Sequence, residues 1–129
     1  MKTDNTDELE GAALAAAVAE RVMGWHQHPH PMYAEWWVDA AGKMLYTFGA
    51  WRPDRDMNQA FQVMRAKAEW CWRIEEWQNG IVQAWIEAPI DANEYGVIAV
   101  VRVLAIDGDR TRAWRTAILR AALKAVEVG

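Results

Sequence analysis

The stretch from Ala68 to Ala88, AEWCWRIEEWQNGIVQAWIEA, constrains the fold more than any other part of the chain. Asn79-Gly80 lies near its middle, and that dipeptide tolerates the positive φ angles of a two-residue hairpin turn, so two antiparallel strands are predicted. Such a turn opposes Ile74 to Trp85, Trp72 to Glu87 and Trp77 to Val82. Trp70, Trp72, Ile74 and Trp85 then share one face. Cys71, Trp77, Val82, Ala84, Ile86 and Ala88 share the other, with Arg73 and Glu75 among them. A sheet apolar on both faces needs cover on both, which predicts helices above and below it and makes Trp72 and Trp85 core residues.

The 129 residues fit one domain spanning 1–129. With 53% hydrophobic residues the chain can bury a core without metal or disulfide help. Arg102 interrupts the longest apolar run, which falls well short of the ~20 residues a membrane helix needs. The opening MKTDNTDELE is acidic and has no signal-peptide core, so a cytosolic protein is expected. Cys71 is the single cysteine. That excludes an intrachain disulfide and a thiolate zinc cluster, and it makes Cys71 a small core hydrophobe. The formal charge of −4 is unevenly spread. Glu69, Glu75, Glu76, Glu87, Asp91 and Glu94 make the hairpin region acidic, whereas Arg110, Arg112, Arg115, Arg120 and Lys124 make the carboxy end basic. Neither block is a continuous run, which argues against general nucleic-acid binding.

Three helices are predicted. The first runs from about Asn5 to Met23, with Asn5 and Glu8 at capping-box spacing, Leu14, Val18, Val22 and Trp25 on one stripe, and Gly24 closing it. The second starts at Asp56, with Gln59 at the capping-box position and Met57, Ala60, Phe61, Met64 and Ala68 as its apolar stripe. Asp109 or Thr111 caps the last, which buries Trp114, Ala117, Ile118, Ala121, Ala122 and Ala125 and turns Thr116, Arg120, Lys124 and Glu127 to water. Between the first two helices, a hairpin about Asp39 to Gly42 pairs Trp36–Val38 with Met44–Phe48. Ala88 to Glu94 reads as a polar loop. Tyr95 to Ile106 reads as a third main strand in a central, doubly covered position, with Arg102 snorkelling or pairing with a hairpin glutamate.

Candidate site residues are few. His26, His28 and His30 alternate in an extended segment and would project to one side, and imidazole suits zinc, nickel and copper. No carboxylate or cysteine partner can be located for them, so solvated loop histidines are the default reading and no cofactor is expected. Trp36 and Trp37 are adjacent in a strand and point to opposite faces, which offers an exposed aromatic anchor. Glu75, Glu76 and Trp77 offer an acidic and aromatic surface beside the hairpin turn. Phosphate loops, nucleophile elbows and zinc-protease motifs are absent, and the chain has no serine. A non-enzymatic protein is therefore expected.

Several segments together resemble the phage ABA sandwich domain, a family of bacteriophage and prophage proteins. They are Glu20 to Trp25 (ERVMGW), Asp39 to Gly42, the capped helix beginning near Asp54 to Gln59, the tryptophan-rich hairpin, and Arg120 to Val126 (RAALKAV). Val22 to Trp25 and Ala117 to Val126 are its most specific pieces. Asp54-Arg55-Asp56 and Thr111-Arg112-Ala113 depart from the caps the family more usually has, and the histidine loop is foreign to it. The resemblance implies an α+β fold, a three-layer α/β/α sandwich with a central antiparallel sheet and about three helices. It implies no reaction.

The function expected is that of a phage or prophage accessory protein in the cytoplasm of the bacterial host, binding a protein partner through Trp36, Trp37, Glu75, Glu76 and Trp77. One alternative is an inhibitor of a host-defence complex, whose positive nucleic-acid site an acidic surface could occupy. A second is a small-ligand or metal-binding protein using the histidine loop. A third is nucleic-acid binding through Arg115, Arg120 and Lys124, which the charge balance disfavours. Nine tryptophans are more than such a chain readily buries, which points to a homodimer or partner surface.

Overall fold

The computed structural model describes residues 9–128. Helix α1 (Gly11–Arg21) begins after Glu10, which is extended and makes no side-chain cap, so the helix starts later than expected; the Asn5–Glu8 cap lies outside the described residues. Gly24 ends it as predicted. Its φ of +74° lets the chain turn while the Val22 and Met23 amides donate to the Val18 carbonyl and the Trp25 amide donates to that of Ala19.

Strands β1 (His26–Gln27), β2 (Trp36–Val38) and β3 (Met44–Thr47) form a small antiparallel sheet in that order. The predicted hairpin between β2 and β3 is present. The Asp39 carboxylate closes its turn by accepting from the amides of Ala41 and Lys43, both at 2.9 Å. Helix α2 (Met57–Met64) carries the expected Asp56 cap, whose carboxylate accepts from the amides of Asn58 and Gln59. Gln59 does not reach back to complete a capping box. It is buried instead, donating to the Ala50 carbonyl at 2.9 Å and accepting from the Arg52 amide at 2.7 Å, which ties the preceding loop to the helix. The helix stops at Met64, so Ala68 is not part of its stripe.

Strands β4 (Cys71–Glu76), β5 (Ile81–Asp91) and β6 (Glu94–Leu104) form the second antiparallel sheet, in the order β4-β5-β6. The hairpin exists, but its register differs from the expected one by a single residue. Ile74 faces Ala84, Arg73 faces Trp85 and Trp72 faces Ile86. The cause is the turn: Gln78, Asn79 and Gly80 form a three-residue loop in which the Gly80 amide donates to the Trp77 carbonyl, and the Trp77 amide donates to Ile81. Gly80, at φ +85°, is the left-handed residue that such a loop requires. A one-residue slip moves every side chain of one strand to the opposite face relative to the other. Trp72, Ile74, Val82, Ala84 and Ile86 therefore share the inner face, while Arg73, Glu75, Gln83 and Trp85 share the outer one. Trp85 and Cys71, expected in the core, are correspondingly on the outer side, and Cys71 is exposed.

Two further expectations change. Ala88 to Glu94 is no loop: β5 and β6 continue to a tight turn at Ala92-Asn93, where Asp91 pairs with Glu94 and accepts from the Asn93 amide. Strand β6 is an edge strand, not the central one, and β5 takes the centre.

Helix α3 (Arg110–Val128) is capped by Asp109, whose carboxylate accepts from the Arg112 amide at 3.0 Å. Two of its faces are buried. Ala113, Ala117, Ala121 and Ala125 pack on Val82, Ala84, Ile86, Ala99 and Val101 of the inner sheet face. Ile118, Leu119, Ala122 and Leu123 join Leu14 and Val18 of α1, Ala60 and Val63 of α2, and Trp37 and Trp51. Trp51 is wholly buried and donates from Nε1 to the Ala15 carbonyl at 3.0 Å, which satisfies its one polar atom. The chain is thus a mixed α+β protein with three helices and two three-stranded antiparallel sheets among the described residues. Helix α3 covers the inner face of the second sheet, α1 and α2 pack on α3, and no described helix covers the outer face.

The small side chains of α3 set its distance from the sheet. Ala121→Leu is expected to destabilise the protein by about 1–3 kcal/mol through overpacking. Glu127→Ala, on the exposed side, should stay within about 0.5 kcal/mol. Urea unfolding followed by tryptophan fluorescence measures both.

Candidate interaction surface

The outer face of the second sheet is built by alternation along its three strands. Arg73 lies over the Trp85 ring at 5.1 Å and pairs with Glu75 at 2.9 Å. Arg102 lies over the Trp77 ring at 5.3 Å and donates from Nε to the buried Gln83 amide oxygen. The face thus roofs its own tryptophans with guanidinium groups, contacts worth about 0.5–1 kcal/mol each at exposed sites. This mixed polar and aromatic surface tolerates water, which explains why a second helix layer is not required for the sheet to fold. The same face of β6 exposes apolar side chains at both ends, with Arg102 and half-buried Val100 between them. Tyr95 is 58% exposed, Val97 51% and Leu104 61%.

Along the free edge of β6 lies a cleft of about 420 Å³ lined by Arg52, Arg55, Arg102, Arg112, Arg115 and Arg120, with the carboxylates of Glu10, Asp54 and Asp109 on its rim. Arg52 and Asp54 form a two-pronged ion pair at 2.9 and 2.8 Å. Burial works against the charged form of Asp54, but the hydrogen bonds and charge of Arg52, with help from the backbone and Arg55, outweigh it and hold its carboxyl below the ordinary value. Arg115 donates from Nε to the Asp54 carbonyl at 2.7 Å, fixing this loop to α3. Arg120 donates to the Leu9 carbonyl.

The residues singled out in the sequence do not form one surface. Trp37 is 4% exposed and packs against Phe48, so it belongs to the core; Trp36, on the opposite side of β2, is half-buried. Glu75 and Glu76 point to opposite sides of β4. Glu75 meets Arg73 and Trp77 on the outer face, while Glu76 pairs with Arg110 at 3.5 Å and accepts from the Trp114 indole. Both hairpin carboxylates are therefore engaged within the protein. In the histidine segment, His26 is in β1, and His28 and His30 flank the Tyr33 ring. The Nδ1 atoms of His28 and His30 accept from the amides of His30 and Met32, so neither nitrogen is free to bind a cation without breaking a turn. Among the described residues no group of three or more His, Cys, Asp or Glu is arranged to hold a metal ion.

Tyr95, Val97 and Leu104 were not legible as surface, because a continuous apolar strand reads as a buried one. The available signal was position: β6 is the last strand before the closing helix, and the last strand of a meander has a free edge. The class defined by these features is a mixed α+β protein with a one-sided three-stranded sheet. No protein-family model, curated protein or solved structure matches the chain.

Since the folded-state carboxyl of Asp54 titrates below its unfolded value, its contribution to stability is complete above the ordinary carboxylate range and is lost as pH falls through the folded value. Asp54→Asn is expected to cost about 1–2 kcal/mol at pH 7, with the difference from wild type shrinking below about pH 4. Denaturant unfolding across pH 2 to 7 would show it.

Proposed function

We propose that this chain is a non-enzymatic accessory protein of a phage or prophage that acts in the cytoplasm of its bacterial host by binding another protein. The observation that carries the binding reading is the outer face of the second sheet, where Tyr95 and Val97 are exposed at one end of β6 and Leu104 at the other, with Val100 and Arg102 between them and Trp85 opposite Val100. Exposed apolar groups interspersed with polar ones, here Arg73, Glu75 and Arg102, are the composition of protein-binding surfaces. A partner lying on this face would supply the missing layer of the three-layer α/β/α sandwich expected from the family resemblance. The phage origin rests on that resemblance alone, through Val22 to Trp25 and Ala117 to Val126.

The surface that supports the proposal is not the acidic one expected from composition. A nucleic-acid mimic would have to present carboxylates, and Glu75 and Glu76 are paired with Arg73 and Arg110. The pairing of these two carboxylates weakens the part of the acidic surface on which inhibition of a nucleic-acid-binding defence complex would draw.

Tyr95→Glu combined with Val97→Glu alters only exposed side chains of this face. Affinity capture from host lysate is expected to retain a defined partner with the wild-type protein and to lose it with the double variant, which should unfold at the same denaturant concentration. Equal retention by both, or no retained protein with either, would contradict the proposal.

A further inference from the structure

The free edge of β6 faces a groove whose chemistry differs from that of the sheet face. The Trp77 amide donates to the Ile81 carbonyl, so Ile81 turns its backbone groups towards β4, and by alternation Val82 and Ala84 turn theirs towards β6. On β6, Val103 and Val101 are then the residues bonded to β5. Val100, Arg102 and Leu104 direct their amides and carbonyls away from the sheet. The Val100 carbonyl accepts from the Lys124 ammonium at 3.3 Å, which is the expected position for an outward group. Arg102 and Leu104 are left with donors and acceptors facing the groove.

Helix α3 forms the opposite wall. Arg112, Thr116, Arg120 and Lys124 recur every fourth residue, so they lie along one side of the helix. The cleft of about 420 Å³ is continued by a second hollow of about 400 Å³ that shares Arg102 and Arg120 and reaches Lys124. From Arg112 to Lys124 the stripe is about 18 Å long at the rise of an α-helix. About five residues of extended chain cover that length. Arg112 has no side-chain partner among the described residues, and Arg115 uses only Nε, on a backbone carbonyl. Among the described residues the groove therefore offers unneutralised guanidinium groups beside unpaired strand backbone.

We propose that this groove receives an extended acidic segment of a partner protein, which adds to β6 as a fourth strand and places its carboxylates, all on the side of α3, on Arg112 and Arg115. The free backbone of Arg102 and Leu104 supplies the main-chain bonds, and the arginines select for acidic side chains. A nucleic-acid strand fits less well. None of the described lining residues is aromatic, so they offer no ring for a base to stack on, and the carboxylates of Glu10, Asp54 and Asp109 would oppose a phosphate chain. The proposal rests on the protein-binding reading above but not on the sheet face that carries it.

The probe is a blocked octapeptide of alternating glutamate and threonine, added to the full chain at low salt. Amide hydrogen exchange at Arg102 and Leu104, read by NMR, is expected to slow at least about fivefold. The same peptide with lysine for glutamate should leave exchange unchanged, and Arg112→Glu should abolish the protection. Three results would overturn the proposal: unchanged exchange at both amides with the glutamate peptide, protection by the lysine peptide, or tighter binding of an octameric deoxythymidine strand than of the glutamate peptide. Retention of a lysate protein without amide protection overturns the groove alone. Loss of both overturns the protein-binding reading as well.

Discussion

The arrangement of this protein depends on the close approach of α3 to the second sheet. Ala113, Ala117, Ala121 and Ala125 give the helix a smooth side, and the sheet answers with Val82, Ala84, Ile86, Ala99 and Val101. Small side chains on both surfaces bring the helix axis near the strands, and the larger groups are displaced to the other side of α3. There Ile118, Leu119 and Leu123 meet Trp37 and Trp51 and the apolar stripes of α1 and α2. One helix thereby joins two apolar clusters. Trp72 and Ile74 bridge them from the sheet, and the Trp72 indole is anchored on the Met64 carbonyl at the end of α2.

The three-residue turn at Gln78-Asn79-Gly80 decides what the other side of the sheet looks like. Had the turn held two residues, Trp85 would have shared a face with Trp72, and Arg73 would have shared the opposite face with Val82 and Ala84. With the longer turn, all the charged groups of the outer face fall together with Trp85 and Gln83. The cation–π and hydrogen-bond pairs of Arg73 and Arg102 then cover indole rings that would otherwise need a helix. A sheet finished in this way keeps one face without helix cover, the face on which the proposed protein binding rests.

Much of the fold was legible in the sequence where a local signal has only one physical outcome. Asp56 and Asp109 stand before amphipathic helices and cap them; Gly24 and Gly80 have the positive φ that their turns need. The pairing of β2 with β3 followed from two apolar runs about Asp39 to Gly42. The register of the main hairpin was not legible, because Asn-Gly serves both two-residue and three-residue turns, and the choice reverses the faces. Edge or centre for β6 was equally hidden in Val97 to Val101, since burial of a strand depends on its neighbours. Of the candidate surface, Trp77, Glu75 and Arg102 were singled out from sequence, whereas Tyr95, Val97 and Leu104 were concealed by their apolarity.

The central claim is that the second sheet is covered by helix on one face only. Hydroxyl-radical footprinting of the isolated protein tests it residue by residue. The account predicts rapid oxidation of Tyr95 and Leu104, intermediate oxidation of Trp77 and Trp85 under their arginines, and protection of Trp51 and Trp37. Protection of Tyr95 and Leu104 equal to that of Trp51 would contradict it.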